Sequence, residues 1–195
     1  MIGIILNVLN ALLITAAVLW ACRRVKKKNE PLGALFRYFT VLSNVLCAAA
    51  SAAAAVSAAA GGISFGVSVF KYVGTCAVTV TLLTVLVFLA PALGSLKPLL
   101  EKQDLFLHLI CPLVAIASYC LFDRAAMPFS FTLLGVAPVF CYGLFYLYKV
   151  VYAPEDKRWD DFYTFNRDGK WPVSFAAMLI GGFLISIALR AAGSI

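Results

Sequence analysis

YFTVLSNVLCAAASAAAAVSAAAGGISFGVSVF, residues Tyr38 to Phe70, contains no formally charged side chain. A helix needs only about 20 apolar residues to cross the hydrocarbon of a bilayer. Gly61-Gly62 and the small polar residues after them interrupt the stretch, so it predicts one membrane-crossing helix followed by an interfacial segment. Read outward in both directions, the same criterion predicts six spans: Ile2 to Ala21, Ala34 to Ala60, Tyr72 to Leu96, Leu105 to Phe122, Phe129 to Tyr148 and Pro172 to Ala192. The runs lack the strict two-residue alternation of a membrane β-barrel. The expected fold is an all-α integral membrane protein, a bundle of six transmembrane helices making a single domain over residues 1–195.

Composition agrees with that reading. The chain is 63% hydrophobic and 13% charged, where an ordinary soluble domain is roughly 25% charged. One soluble core of 195 residues cannot enclose so much apolar surface. The same figures exclude disorder, a collagen or coiled-coil rod and a secreted disulfide scaffold. The N-terminal run has its charges after the apolar stretch rather than before it, which predicts a retained first span instead of a cleaved signal peptide.

The net charge of +7 does not form a basic groove interleaved with exposed aromatics, so no nucleic-acid partner is expected. The basic residues sit between the spans. With the N-terminus outside, the connectors after spans one, three and five hold thirteen Lys and Arg, and the opposite side holds only Lys71, Arg124 and Arg190. That asymmetry predicts both termini outside. Trp20, Tyr38, Tyr148, Tyr152, Trp159 and Trp171 lie near the cytoplasmic boundary so defined, as an aromatic belt does. Cys22, Cys47, Cys76, Cys111, Cys120 and Cys141 lie in or at the ends of apolar runs without C-x-x-C spacing, and read as small buried hydrophobes. No metal and no organic cofactor is expected.

Few residues can carry chemistry. Arg37, Thr40, Asn44, Cys47 and Ser51 recur at helical spacing as one stripe, with Ser43 beside it. Such a stripe serves equally as glue between helices. His108, the single histidine, stands about one turn into span four in LFLHLICPL. An ionisable group within a span is a functional candidate, although an imidazole that bridges helices has the same signature. Pro112 removes the usual partner of the His108 carbonyl and favours a kink there. Thr40 and His108 fall at similar depth from the same face, and a hydroxyl with an imidazole base is the minimum set for nucleophilic acyl transfer. The longest connector, Val151 to Trp171, holds Asp160, Asp161, Tyr163, Phe165 and Asn166, and reads either as a pocket cover or as a solvated turn.

FRYFTVLSN, from Phe36 to Asn44, and HLICP, from His108 to Pro112, resemble the two signature regions of the androgen-induced gene 1 family. That family contains multi-pass membrane threonine hydrolases acting on fatty-acid esters of hydroxy fatty acids, with six-span prokaryotic relatives. The Tyr163 to Phe165 segment before the last span adds to the likeness. The resemblance implies Thr40 as nucleophile and His108 as catalytic histidine, a lipid ester as substrate and a prokaryotic cytoplasmic membrane as location. Arg37, Ser43 and Asn44 become candidate oxyanion or pocket residues by their proximity to Thr40, and Tyr163, Phe165 and Asn166 candidate cover residues. Ser43-Asn44 is closer to the prokaryotic branch. The competing reading is a non-enzymatic transporter, channel subunit or scaffold with a polar cavity between its helices. An apparent lack of intramembrane carboxylates counts against an ion-coupled carrier.

The charge asymmetry makes a direct prediction. A cysteine placed at Lys27, with the native cysteines removed, will react with a membrane-impermeant thiol reagent only after the cells are permeabilised. Labelling in intact cells inverts the topology.

Overall fold

The computed structural model describes residues 1–193. The chain is 82% helical, with no strand among the described residues. Six helices are long and apolar enough to cross a membrane: α1 (Ile2–Lys27), α2 (Phe39–Ala59), α3 (Phe65–Leu89), α4 (Gln103–Asp123), α5 (Phe129–Tyr152) and α6 (Trp171–Ala192). The protein is therefore an all-α bundle of six membrane-spanning helices, as its composition requires.

α3 is the hub of the bundle, packing against α2, α4, α5 and α6. Its sequence permits this. Gly74, Thr75, Cys76 and Ala77 are all buried, and their small size lets neighbouring backbones come close without polar groups in lipid. A Cβ on Gly74 would stand 3.2 Å from the Cα of Cys47. On α2, Ala50 and Ala54 are fully enclosed, so the alanine-rich run packs as small membrane residues do. Gly135 of α5 repeats the device, since a Cβ there would clash with the Ser186 hydroxyl of α6 and with Cys76 Sγ.

The third span starts seven residues earlier than hydropathy places it. Ser64 caps its N-terminus by accepting a hydrogen bond from the Val67 N–H at 3.4 Å, and the helix then runs through Lys71. Lys71 reads from the sequence as a charge outside the membrane. In the fold it is fully buried, 3.9 Å from the Asp123 carboxylate at the end of α4. Its ammonium donates to Ser51 Oγ of α2 at 2.7 Å. The Asn7 amide of α1 donates to both Asp123 oxygens, at 2.9 and 2.8 Å, and the Ser118 hydroxyl donates to one of them at 2.7 Å. Asn10 adds a bond to Ser51 at 3.2 Å. The expected lack of intramembrane carboxylates is thus corrected: a buried ion pair joins α3 to α4 and is completed by α1 and α2.

Two prolines shape the helices that approach the candidate residues. Pro91 and Pro112 each follow a wider π-helical stretch, Thr84–Leu89 in one case and Phe106–Ile110 in the other. A proline lacks the N–H that would bond the carbonyl four residues back, and the π turns sit where that bond is missing. Three cysteines depart from expectation: Cys141 is exposed on α5 and Cys22 and Cys120 are half-buried, whereas Cys47, Cys76 and Cys111 are buried.

The ion pair has a measurable role. Removing one partner leaves the other charge uncompensated, so Lys71→Met or Asp123→Asn alone will destabilise the bundle by about 3–5 kcal/mol. The double variant will be less destabilised than the sum of the two. Unfolding of the purified protein in detergent, with the double-mutant cycle completed, reads this directly.

Candidate functional site

The residues singled out by spacing do not all lie on one face. Tyr38 is extended (φ −92°, ψ 129°), so α2 begins at Phe39 and Arg37 belongs to a preceding 3-10 turn, Leu32–Arg37. This break takes Arg37 out of helical phase with Thr40 and overturns their shared stripe. The Arg37 guanidinium stacks over Trp159, 5.5 Å from the ring centroid. The rest of the stripe divides into helix bridges and one cavity residue. Ser43 is buried, donates to the Thr40 carbonyl at 3.1 Å and pairs with the Thr81 hydroxyl of α3 at 2.8 Å. Asn44 donates to the Thr40 carbonyl at 2.8 Å and to the Leu107 carbonyl of α4 at 3.0 Å. Both amide protons of Asn44 are thereby engaged, while its Oδ1 is buried without a partner.

Thr40 lines a cavity of ≈ 650 Å³ whose walls come from α2, α3, α5, α6 and the connector before α6. Its volume falls within the roughly 300–1,000 Å³ of small-molecule sites. Most of the wall is aliphatic, with Val80 and Val85 of α3, Val139 of α5 and Met178 of α6 among the lining residues. Polar groups gather at the Thr40 end, where Tyr142, Tyr146 and Tyr163 also line the space. A mainly apolar chamber with several hydroxyls beside Thr40 suits a fatty chain that carries a polar function.

The connector forms one wall through an acidic residue that organises its backbone. Asp161 accepts from the Tyr146 hydroxyl at 3.1 Å and from the Phe165 and Asn166 N–H groups at 2.8 and 2.7 Å. This turn presents Tyr163 and Phe165 to the cavity. Asn166 belongs to the turn instead and is not among the lining residues. The Tyr163 hydroxyl accepts from the Phe39 N–H at 3.1 Å and lies beside Thr40 and Tyr142. It therefore satisfies one of the open donors at the start of α2, a role that Tyr38 as N-cap does not fill with its own side chain. Burial pushes the Tyr163 phenol up to about 12, so it keeps its proton at neutral pH.

His108 stands in the π-helical stretch of α4, half-buried, and its Nδ1 lies 2.6 Å from the Leu99 carbonyl. Such a contact fixes the tautomer with the proton on Nδ1 and leaves Nε2 as the basic nitrogen. Asn44 holds the preceding residue, Leu107, to the first turn of α2, which sets Thr40 and His108 at one level of the bundle. The imidazole is not among the residues lining the Thr40 cavity, and no hydrogen bond joins the two side chains among the described residues. The Asp104 carboxylate, one turn before His108, accepts from the Gln103 amide at 3.3 Å.

The chain matches no family model, no curated protein and no solved structure.

Tyr163, read from sequence only as a cover residue, joins the connector to the first turn of α2. Tyr163→Phe strands the Phe39 N–H, and a buried donor left without a partner costs about 1–3 kcal/mol. The expected result is a matching loss of stability and faster proteolysis within residues 153–170, with the other connectors unaffected.

Proposed function

We propose that this chain is a membrane-embedded lipid ester hydrolase in which Thr40 is the nucleophile and His108 the base. The observation that carries the reading is the position of Thr40 beside several hydroxyls in a mainly aliphatic cavity. An acyl chain lying along α3 and α6 brings its ester to the Thr40 Oγ1. His108 Nε2 takes the hydroxyl proton as Oγ1 attacks the carbonyl carbon, and returns it to the departing alcohol. Water then cleaves the acyl-threonine: His108 Nε2 takes the water proton as the oxygen attacks and passes it to the departing Thr40 Oγ1, restoring the hydroxyl. The protonated Tyr163 phenol is the donor best placed for the oxyanion, since Asn44 has both amide protons engaged and Arg37 is turned toward Trp159. Fatty-acid esters of hydroxy fatty acids are the substrates that the family resemblance points to.

The reaction requires the imidazole and hydroxyl to come within reach when substrate enters, and apo catalytic contacts are often loose. The π-helical geometry around His108 supplies a segment that can re-pack by one hydrogen-bond step. We place the bundle in a prokaryotic cytoplasmic membrane with both termini outside. Burial of Lys71 removes one basic residue from the external side and strengthens the asymmetry behind that orientation. A second reading, an apolar-ligand binding protein without chemistry, is favoured by one observation, the absence of His108 from the cavity wall.

Hydrolysis of fatty-acyl esters by purified protein separates the two. Thr40→Ala and His108→Ala will each lower turnover by ~10²–10⁴-fold, the range for lost acid–base assistance. The double variant will be little worse than either single one, because the two residues act as a unit. Thr40→Ser will retain measurable activity. A folded Thr40→Ala protein with unchanged turnover across chain lengths removes the hydrolase reading and leaves the binding one.

A further inference from the structure

A second site lies on the lipid-facing side of the bundle, outside the Thr40 cavity. Before α2 and at the end of α5, two cations lie over one indole. The Arg37 guanidinium lies 5.5 Å from the Trp159 ring centroid and the Lys149 ammonium 5.7 Å from it. Lys149 also lies 5.9 Å from the Phe145 ring, which meets Trp159 edge-on at 5.3 Å. The indole is held in place by its backbone, whose N–H donates to the Lys149 carbonyl at 3.0 Å. The aromatic contacts fix both cations, yet use none of their N–H donors. Among the described residues neither side chain donates a hydrogen bond to the protein, and neither has a carboxylate within ion-pair reach. The nearby Asp161 is occupied by Tyr146 and two backbone N–H groups. Two preorganised cations with free donors are what an anionic phosphate diester requires.

An apolar groove of ≈ 260 Å³ leads away from this cluster between α2 and α5, lined by Phe39, Leu42, Leu46, Pro138, Cys141 and Phe145 among others. Phe145 belongs to both the groove and the cation cluster. Tyr142, another groove residue, donates to the Arg37 carbonyl at 2.8 Å and so fixes the backbone that carries the guanidinium. A cation pair, Arg37 exposed and Lys149 half-buried, beside an apolar groove matches a molecule with an anionic head and a hydrocarbon tail.

We propose that Arg37, Lys149 and Trp159 form the headgroup site of a bound anionic phospholipid whose acyl chain lies in the groove between α2 and α5. The site binds a structural or regulatory lipid; its groove shares Phe39 and Tyr142 with the wall of the Thr40 cavity but is lined by neither Thr40 nor His108, so it stands whether or not the chain is a hydrolase.

The test uses the full-length protein in detergent, with phosphatidylglycerol and phosphatidylcholine titrated and bound lipid counted by native mass spectrometry. Wild type is expected to hold phosphatidylglycerol in preference to phosphatidylcholine. Arg37→Gln with Lys149→Gln is expected to weaken phosphatidylglycerol roughly thirty-fold, about five- to six-fold per surface cation. The equally basic but remote pair Arg23→Gln with Lys27→Gln is expected to leave binding within about two-fold of wild type. Equal losses in the two pairs, or equal binding of the two lipids, overturn the site. Cys141→Trp, an exposed position, fills the groove without touching either cation and is expected to weaken the lipid while inorganic phosphate competes poorly. Unchanged lipid binding in Cys141→Trp, or full displacement by inorganic phosphate at equal concentration, overturns the phospholipid. The groove variant also decides the matter should the double charge variant fail to fold.

Discussion

An ammonium and a carboxylate removed from water together, Lys71 and Asp123, constrain the first four helices more tightly than any apolar contact. In hydrocarbon a helix gains little by burying leucine against leucine, because lipid tails offer the same environment. A charge that has lost water must instead find its partner in a narrow geometry. Lys71 reaches Ser51 and Asp123, while Asn7 and Ser118 fill the remaining positions on the carboxylate. Each of α1, α2, α3 and α4 contributes at least one member, so rotation of any one helix breaks a bond that lipid cannot replace. The Thr40 cavity opens on the other side of α3, toward α5 and α6, which are tied to α3 by an uncharged chain from Tyr72 through Ser186 to the Thr132 carbonyl. The bundle is thus pinned by charge on one side of α3 and holds its cavity on the other.

The position of each candidate follows from that division. Helix α3 faces both halves, with Lys71 and Thr75 toward the polar network and Val80 and Val85 toward the cavity wall. Pro91 and Pro112 loosen the backbone of α3 and α4 near the end that carries Thr40 and His108, while the ion pair holds the far end. Rigid and adaptable regions are thus separated along the same helices.

Much of this was legible in the chain. Six apolar runs locate six helices because length and hydropathy are local quantities, and the Ala48 to Gly62 run foretells a close helix contact by size alone. Pro112 likewise marks the irregular backbone at His108. The failures have a common cause. Lys71 looks like the edge of a span because hydropathy assigns every lysine to water, and nothing near it in sequence reveals Asp123 across the bundle. Arg37 seems to share a face with Thr40 only if the helix already runs through Tyr38, and one extended residue breaks that phase. The cavity has no local signature at all, since its wall is assembled from four helices and a connector. Tyr163 was visible as part of a cover, but its bond to the start of α2 depends on two segments 124 residues apart in sequence.

That bond also bears on how anything reaches the chamber. The connector of residues 153–170 is attached to α2 through Tyr163, to α5 through Asp161 and Tyr146, and to itself through the Asp161 turn. Lifting it away would strand the Phe39 N–H and break the Tyr146–Asp161 hydrogen bond in the same movement. It behaves as a plug at the polar end of the chamber, and a plug implies traffic by another route. Beside the chamber α5 and α6 meet through apolar side chains, whose contacts lipid tails can replace, while the Ser186 hydroxyl holds the Thr132 carbonyl at the opposite end of the pair. Molecules would enter and leave sideways from the bilayer, tail first, without ever passing through water.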